Sequence, residues 1–195
     1  MSIRVTATAR LNAICRRRLR EQFKLSVDPT SELSRLNSII GSRRLTLPDL
    51  QQLTSTTSAS SVLSTLAPAE FSRVRAHMEG GSRSALETTA ADLQNELAES
   101  LAVATTVVMA ATRDITAKTI AESGLSLGYT VNTHRAETAT CVELCRGHEI
   151  VLVRVHDDGD VEFDHGELTD DDCGKHQLQL ERAAKHHGFF ITQRP

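Results

Sequence analysis

The chain has 195 residues, of which 39% are hydrophobic, only 3% are aromatic and 24% are charged, and its formal net charge is −3. This composition excludes a disulfide-rich mini-protein, a collagen and a strongly charged disordered chain, and the scarcity of rings argues against a surface that stacks nucleic-acid bases. The average conceals a gradient, because residues 1–50 carry a net charge of +6 and residues 126–195 carry −6. Such asymmetry indicates different partners at the two ends, or contact between the ends in an assembly.

The cysteines and the apolar runs bear on the compartment. The N-terminus shows no apolar stretch before a cleavage site, as a signal peptide would require. The most apolar run, 101–111, is far shorter than the ~20 residues that span a bilayer. We therefore expect a cytoplasmic protein without a membrane partner, in which Cys15, Cys141, Cys145 and Cys173 are reduced thiols.

Residues 1–80 are predicted to form a basic helical region. Apolar residues recur at roughly helical spacing over 3–25 among several arginines, which favours an amphipathic helix with a basic face. Short helices are predicted from Ser31 to Gly41, from Pro48 onwards and over 69–79. The Ser/Thr-rich residues 54–65 are typical of a linker.

A long amphipathic helix is predicted over 82–123. Ser84 and Glu87 have the spacing of a capping box, and Gly124 is expected to end the helix. Its apolar residues recur every three or four positions, close to the seam of a coiled coil. A rod about 60 Å long cannot bury this stripe alone, so it must pack on the preceding helices or on another chain. We expect the seam to be an association surface, formed by Leu93, Leu97, Leu101, Ala104, Val108, Ala111 and Ile115.

Beyond Gly124 the pattern alternates, which predicts a small ββββα domain over 125–195. Strands are expected over 125–131, 138–144, 149–155 and 161–164, with an Asp-Gly hairpin turn before the last. A final helix is predicted over about 174–187, with Leu178, Leu180, Ala183 and Ala184 turned inward. The fold class is therefore α+β: an N-terminal helical region with a long helix that could form a coiled coil, then a four-stranded antiparallel sheet and one C-terminal helix.

Three sets of residues in the C-terminal part are weak candidates for chemistry. Soft ligands for zinc could come from Cys141, Cys145, His148, Cys173 and His176, but two cysteines on one strand also fit small core residues. Carboxylates between Asp157 and Asp172 could hold a divalent cation, but turns, caps and a solvated face explain them better. Cys173 or a serine could pair with His165, His176 or His186–His187, although no nucleophile elbow and no phosphate-binding glycine loop is present. We expect no metal, no cofactor and no catalytic residue, so the sequence leans away from an enzyme.

The N-terminal arginine cluster allows three interpretations. Arg16, Arg17, Arg18 and Arg20 could bind nucleic-acid phosphates or an acidic partner, or they could form a solvated helix face. The chain's own acidic C-terminal part makes a contact between subunits a further option.

The last 70 residues resemble a family of short bacterial and plastid accessory proteins of uncharacterised function. The resemblance rests on Leu127-Gly128-Tyr129-x-Val131, on Asp158-Gly159-x-Val161-x-x-Asp164, and on Gly166, Cys173 and Leu180-Glu181. Members of this group are often encoded beside MoxR-type AAA-plus ATPases. The resemblance implies a small α+β domain that acts in an assembly, and no catalytic residues.

The sequence thus predicts a non-enzymatic adaptor or scaffold. We expect it to self-associate or to join a larger complex with an AAA-plus ATPase, in bacterial stress or antiviral defence. The alternatives are a nucleic-acid-binding module that uses the arginine cluster, and a metal-dependent hydrolase that uses the C-terminal Cys/His/Asp set.

Overall fold

The computed structural model describes residues 4–10, 13–80, 90–136, 138–157 and 160–164, and then 175, 178–180, 182–183, 185 and 190–193. The helices are α1 (Ala13–Phe23), α2 (Pro29–Ser42), α3 (Leu47–Ser55), α4 (Thr57–Leu66), α5 (Pro68–Gly80) and α6 (Ala90–Ser126). The strands are β1 (Arg4–Arg10), β2 (Thr130–Arg135), β3 (Ala139–Arg146), β4 (Glu149–His156), β5 (Asp160–Asp164) and β6 (Phe190–Gln193). The predicted α+β class is confirmed, with a long helix, then an antiparallel meander and a short C-terminal helix.

The chain divides into two compact units. The helical unit comprises residues 19–108, and the sheet unit comprises residues 1–18 and 109–195. The division falls inside α1 and inside α6, so neither helix belongs to one unit alone.

In the helical unit, side chains cap the starts of two short helices, α2 and α3. Asp28 accepts a hydrogen bond from the Thr30 backbone N–H over 3.3 Å, and Pro29 occupies the first turn of α2. Thr46 and Asp49 form a reciprocal capping box at the start of α3. The expected linker over 54–65 is wrong, because most of it forms α4, which buries Val62, Leu63 and other apolar residues. An isolated Ser/Thr-rich segment looks polar, but these apolar residues recur at helical spacing and supply a core face.

Among the described residues, six antiparallel strands form one sheet in the order β2-β3-β4-β5-β1-β6. The predicted meander forms β2 to β5, and the sequence did not predict β1 or β6. The expected helix over 3–25 is wrong in its first part: residues 4–10 form a strand that pairs with β5, placing Arg4 opposite Asp164. The helix begins only at Ala13. The alternation of Arg4–Arg10 is that of a strand, and its partners lie at the far end of the chain.

One face of the sheet packs on the second half of α6. The core comprises Ala117 and Ile120 of α6 together with Val142, Leu144, Val153, Val161 and Phe163 of the sheet. Gly124 does not end the helix as expected, since α6 continues to Ser126. A Cβ atom at Gly124 would lie 2.6 Å from Cδ2 of Leu144, so the glycine allows the helix to approach β3 closely.

The ends of the predicted elements partly lie outside the described residues. These include the capping box at Ser84 and Glu87 and the helix residues before Ala90. Within the expected C-terminal helix, Leu180 is buried in the sheet core as predicted. Leu178 is 51% exposed and is therefore not turned inward. Among the described residues, no helix has the length and the apolar character that crossing a membrane requires.

Candidate functional site

The candidate site is the face of the sheet opposite α6, which we call the open face. Side chains alternate across each strand, so Val161 and Phe163 of β5 are fully buried in the core while Asp160, Glu162 and Asp164 lie on the other side. The register between neighbouring strands shows which of their residues share this face. Its described side chains include Asn132, His134, Cys141, Glu143, Leu152, Arg154, His156, Asp160, Glu162 and Asp164.

Arg154 lies between two carboxylates on the open face. Its Nη1 is 3.8 Å from Oε2 of Glu162 and 3.8 Å from Oδ2 of Asp164. His156 Nε2 lies 3.6 Å from the same Glu162 oxygen. These separations exceed hydrogen-bond length, and the side chains are partly exposed, so each pair contributes little to stability. Two carboxylates therefore lie close to one guanidinium at this point of the open face.

The open face is acidic in its described side chains. Glu143, Asp160, Glu162 and Asp164 supply four carboxylates, against the single guanidinium of Arg154. A face of this charge repels nucleic-acid phosphates and attracts basic protein surfaces.

Sequence reasoning did not single out Glu143 or Glu162. The available signal was the strict alternation of Asp160–Asp164, which places three acids on one side of a strand whose other side is apolar. Only the register of β3 and β4 shows that Glu143 and Arg154 share this face.

The two cysteines on β3 that were weak zinc candidates lie too far apart to share one ion. Cys141 and Cys145 share a face but are four residues apart on a strand, which separates them by about 13 Å. Two ligands of one zinc ion lie within about 4.6 Å of each other, twice the Zn–S distance. His148 is exposed in the turn between β3 and β4, while Cys173 and His176 lie outside the described residues. Within the described part of the chain, no group of three metal-ligating side chains comes together.

The acidic run is divided between two roles. Asp157 pairs with Arg113 of α6, whose Nη1 donates to Oδ1 of Asp157 over 2.7 Å. Asp160 and Asp164 belong to the open face. The remaining acids of the run, Asp158, Glu167 and Asp170–Asp172, lie outside the described residues, as do the candidate catalytic histidines 165, 176, 186 and 187.

The four arginines of the cluster on α1 also have different surroundings: one contacts α6 and three are exposed. Arg18 donates from Nη1 to Oγ1 of Thr119 over 3.0 Å, and its Nη2 lies 3.8 Å from Oε2 of Glu122. This arginine therefore anchors α1 to α6 within the sheet unit. The other three members, Arg16, Arg17 and Arg20, are exposed. We call these three the basic face of α1.

The apolar seam of α6 is core rather than surface. Leu93, Leu97, Leu101 and Ala104 are at most 1% exposed, and Val108 and Ala111 are also buried. Ile115 is half-buried. The single chain therefore shows no exposed apolar stripe along this seam, and the expectation that the seam joins two copies stays a prediction. The periodicity indicated burial correctly, but the other elements of the same chain supply the cover.

Three of the residues that carry the family resemblance, Leu127, Gly128 and Tyr129, form the junction between α6 and β2. Gly128 has a φ of +82°, a left-handed conformation that glycine adopts without strain. Tyr129 is buried behind it, with the Arg146 guanidinium 4.6 Å from the centre of its ring. Burial raises the pKa of the Tyr129 hydroxyl. Gly128 and Tyr129 therefore have a structural role in this chain.

Comparison with protein-family models gives no match to this chain, and comparison with curated proteins gives none either. The resemblance to accessory proteins of AAA-plus ATPases therefore stays a prediction.

Proposed function

We propose that the protein is a non-enzymatic scaffold that self-associates, with the basic face of α1 on one copy seated on the open face of the sheet on another. The observation that carries this proposal is the opposite charge of two exposed surfaces on one chain. Arg16 and Arg17 are exposed on α1, and Glu143, Asp160 and Glu162 lie on the open face. Guanidinium and carboxylate groups form the strongest hydrogen bonds available between protein surfaces.

The geometry of such a contact favours growth beyond a dimer. The two surfaces are different, so a pair of copies would still present one basic face and one acidic face to further copies. Interfaces of this head-to-tail kind give rings or open chains of subunits. This is the behaviour expected of a scaffold.

Salt dependence is the first test. Ions screen exposed charges over about 10 Å at 0.1 M, so a contact between charged surfaces weakens as salt is added. Light scattering after size exclusion should give a higher mass at about 50 mM salt than at about 0.5 M salt. A mass that does not change with salt would refute the proposal.

Charge reversal and its rescue identify the surfaces. Arg16→Glu combined with Arg17→Glu should remove the low-salt assembly, and so should Glu143→Lys combined with Asp160→Lys. A mixture of these two double variants should assemble again, because each supplies the surface that the other lacks. The charge-matched control is Arg44→Glu with Arg75→Glu, two exposed arginines of the helical unit. If this control also removes assembly, net charge rather than the proposed surfaces is responsible.

A nucleic-acid-binding function is the second candidate, since the exposed arginines of α1 could also neutralise phosphates. The same variants separate the two functions. Arg16→Glu with Arg17→Glu should weaken both kinds of contact, whereas Glu143→Lys with Asp160→Lys removes self-assembly and leaves binding to a DNA or RNA duplex intact. Salt-dependent duplex binding by nuclease-treated protein, without low-salt assembly, would favour this candidate.

Further roles that the sequence suggested remain proposals. An AAA-plus ATPase partner, in bacterial stress or antiviral defence, would use the surfaces that also join two copies, so it should compete with self-assembly. The separation of Cys141 and Cys145 argues against a metal-dependent hydrolase. Stoichiometric metal in elemental analysis of the folded protein would restore it.

A further inference from the structure

Strand β2 is an edge strand of the described sheet, and most of its residues are exposed. Among the strands that the structure describes, its one neighbour is β3, and the register between them runs without a bulge from Thr130 to Arg135. Five of its six residues are exposed, and Val131 is half-buried. Proteins often protect edges with proline, a bulge or charged side chains; β2 has no proline and no bulge, and its one arginine, Arg135, lies at the end of the strand.

The hairpin fixes which main-chain groups of β2 face outward. The Ala136 N–H donates to the Ala139 carbonyl over 2.9 Å, so this pair is hydrogen-bonded across the two strands. In an antiparallel pair, every second residue exchanges main-chain hydrogen bonds with the neighbouring strand. The N–H and C=O groups of Thr130, Asn132 and His134 therefore bond to β3. The N–H and C=O groups of Val131, Thr133 and Arg135 therefore point away from the sheet.

We propose that two copies of the chain pair through these edges, antiparallel and symmetric about Thr133. This register sets Thr133 opposite its own equivalent, Val131 opposite Arg135, and Asn132 opposite His134. No like charges face each other, and Thr–Thr and polar cross-strand pairs are favourable. In this register the three outward residues of each copy, Val131, Thr133 and Arg135, all face outward residues of the other copy.

This contact is independent of the charged contact proposed above. It uses about six main-chain hydrogen bonds, from three outward residues on each copy. Screening ions do not remove such bonds, so the edge pair persists at about 0.5 M salt, where the charged contact is lost. The two contacts can therefore be tested separately. The edge contact predicts a dimer at high salt, and the charged contact predicts larger assemblies at low salt.

The deciding variant is Thr133→Pro. Proline has no N–H, and here it removes an outward donor while the bonds of β2 to β3 stay in place. The control is Thr133→Ala, which shortens the same side chain and keeps the N–H. At about 0.5 M salt the mass of the wild type and of Thr133→Ala should rise from one copy to two with increasing protein concentration, up to about 0.5 mM. Thr133→Pro should remain at the mass of one copy.

Hydrogen exchange in the wild type tests the same contact without a mutation. The amides of Val131, Thr133 and Arg135 should become more protected as the protein is concentrated at high salt, whereas those of Asn132 and His134 should not change. A single-copy mass throughout the concentration range would overturn the proposal. A dimer that Thr133→Pro does not weaken, or that gives no added protection to the three outward amides, would overturn it as well.

Discussion

Arg113 of α6 and Asp157 at the end of β4 form an ion pair of 2.7 Å in which the arginine side chain is only 3% exposed. The arginine also lies 3.4 Å from Asp114, its neighbour in sequence. A buried guanidinium needs a partner, because removing its counter-charge leaves the cost of its desolvation uncompensated. The pair therefore fixes α6 against one end of the sheet that bears the open face.

Replacing Asp157 with alanine should destabilise the protein by about 2 kcal/mol, less than for a fully buried pair because the Asp157 side chain is 43% exposed. Urea unfolding at neutral pH measures the change. The control is Glu79→Ala, which removes the exposed pair with Arg75 and should cost at most about 0.5 kcal/mol. Equal effects of the two substitutions would contradict the role given to Arg113.

Glu32 should make the stability of the protein depend on acid pH. Arg35 donates to both of its carboxylate oxygens, over 2.6 and 3.1 Å, and Ser58 of α4 donates over 3.0 Å. The hydrogen bond from Arg35 is the main cause that lowers the pKa of Glu32. A lowered pKa in the folded state stabilises the protein above the unfolded value of about 4.3, and this contribution is lost as the pH falls through the folded pKa.

The variant Glu32→Gln should therefore cost about 2 kcal/mol at pH 7. Its deficit relative to the wild type should shrink as urea unfolding is repeated at steps below about pH 4.3. Glu99→Gln, at a side chain that is 64% exposed, serves as the control and should follow the wild type throughout. If the unfolding free energy of Glu32→Gln stayed below that of the wild type by a constant amount across the acid range, ionisation of the Glu32 carboxylate would not be the cause of the acid dependence.

The sequence predicted the central strands well because their signals are local. Alternation over Glu149–His156 and the turn at Gly147-His148 specify β3, β4 and their hairpin without reference to the rest of the chain. Strand β1 has a similar local alternation over Arg4–Arg10. Its register partner for Arg4 is Asp164, and a local window does not show a pairing over such a separation. The arginines that follow it favoured a helix and extended that prediction too far toward the N-terminus.

The candidate site was predicted only in part for a related reason. Periodicity shows that a residue such as Leu97 is buried, but it does not show whether the cover comes from the same chain or from a second one. The charge gradient pointed to opposite surfaces, and its basic half includes the exposed Arg16 and Arg17. The acidic half required the register, since Glu143 and Glu162 lie on different strands.

Two glycines in helices should respond to alanine with opposite signs. At Gly124 a Cβ atom would lie 2.6 Å from the fully buried Leu144, whereas at Gly41 nothing lies within 4 Å. Gly124→Ala should therefore destabilise the protein by about 1–3 kcal/mol through overpacking. Gly41→Ala should stabilise it by up to about 1 kcal/mol through helix propensity. Thermal unfolding of the two variants beside the wild type checks both signs, and a stabilised Gly124→Ala would contradict the close approach of α6 to β3.

Cys15 should be an unreactive thiol at neutral pH. It is 2% exposed on α1, and burial raises the pKa of its thiol to about 11, against a smaller lowering by Arg18. Because only the thiolate reacts, about one thousandth of Cys15 is available at pH 8, whereas an ordinary thiol is about one quarter ionised. Iodoacetamide at pH 8, followed by peptide mass analysis, should leave Cys15 unmodified in the native protein and modify it in urea.

The raised pKa of Cys15 should also make the protein less stable as the pH rises into the alkaline range. The raised folded pKa of Cys15 stabilises the protein below the unfolded value of about 8.5, and the contribution is lost as the pH rises toward about 11. The stability of the wild type should therefore decline across this window, and Cys15→Ala should decline less. If native Cys15 reacts with iodoacetamide at pH 8 as fast as it does in urea, the burial of this face of α1 is wrong.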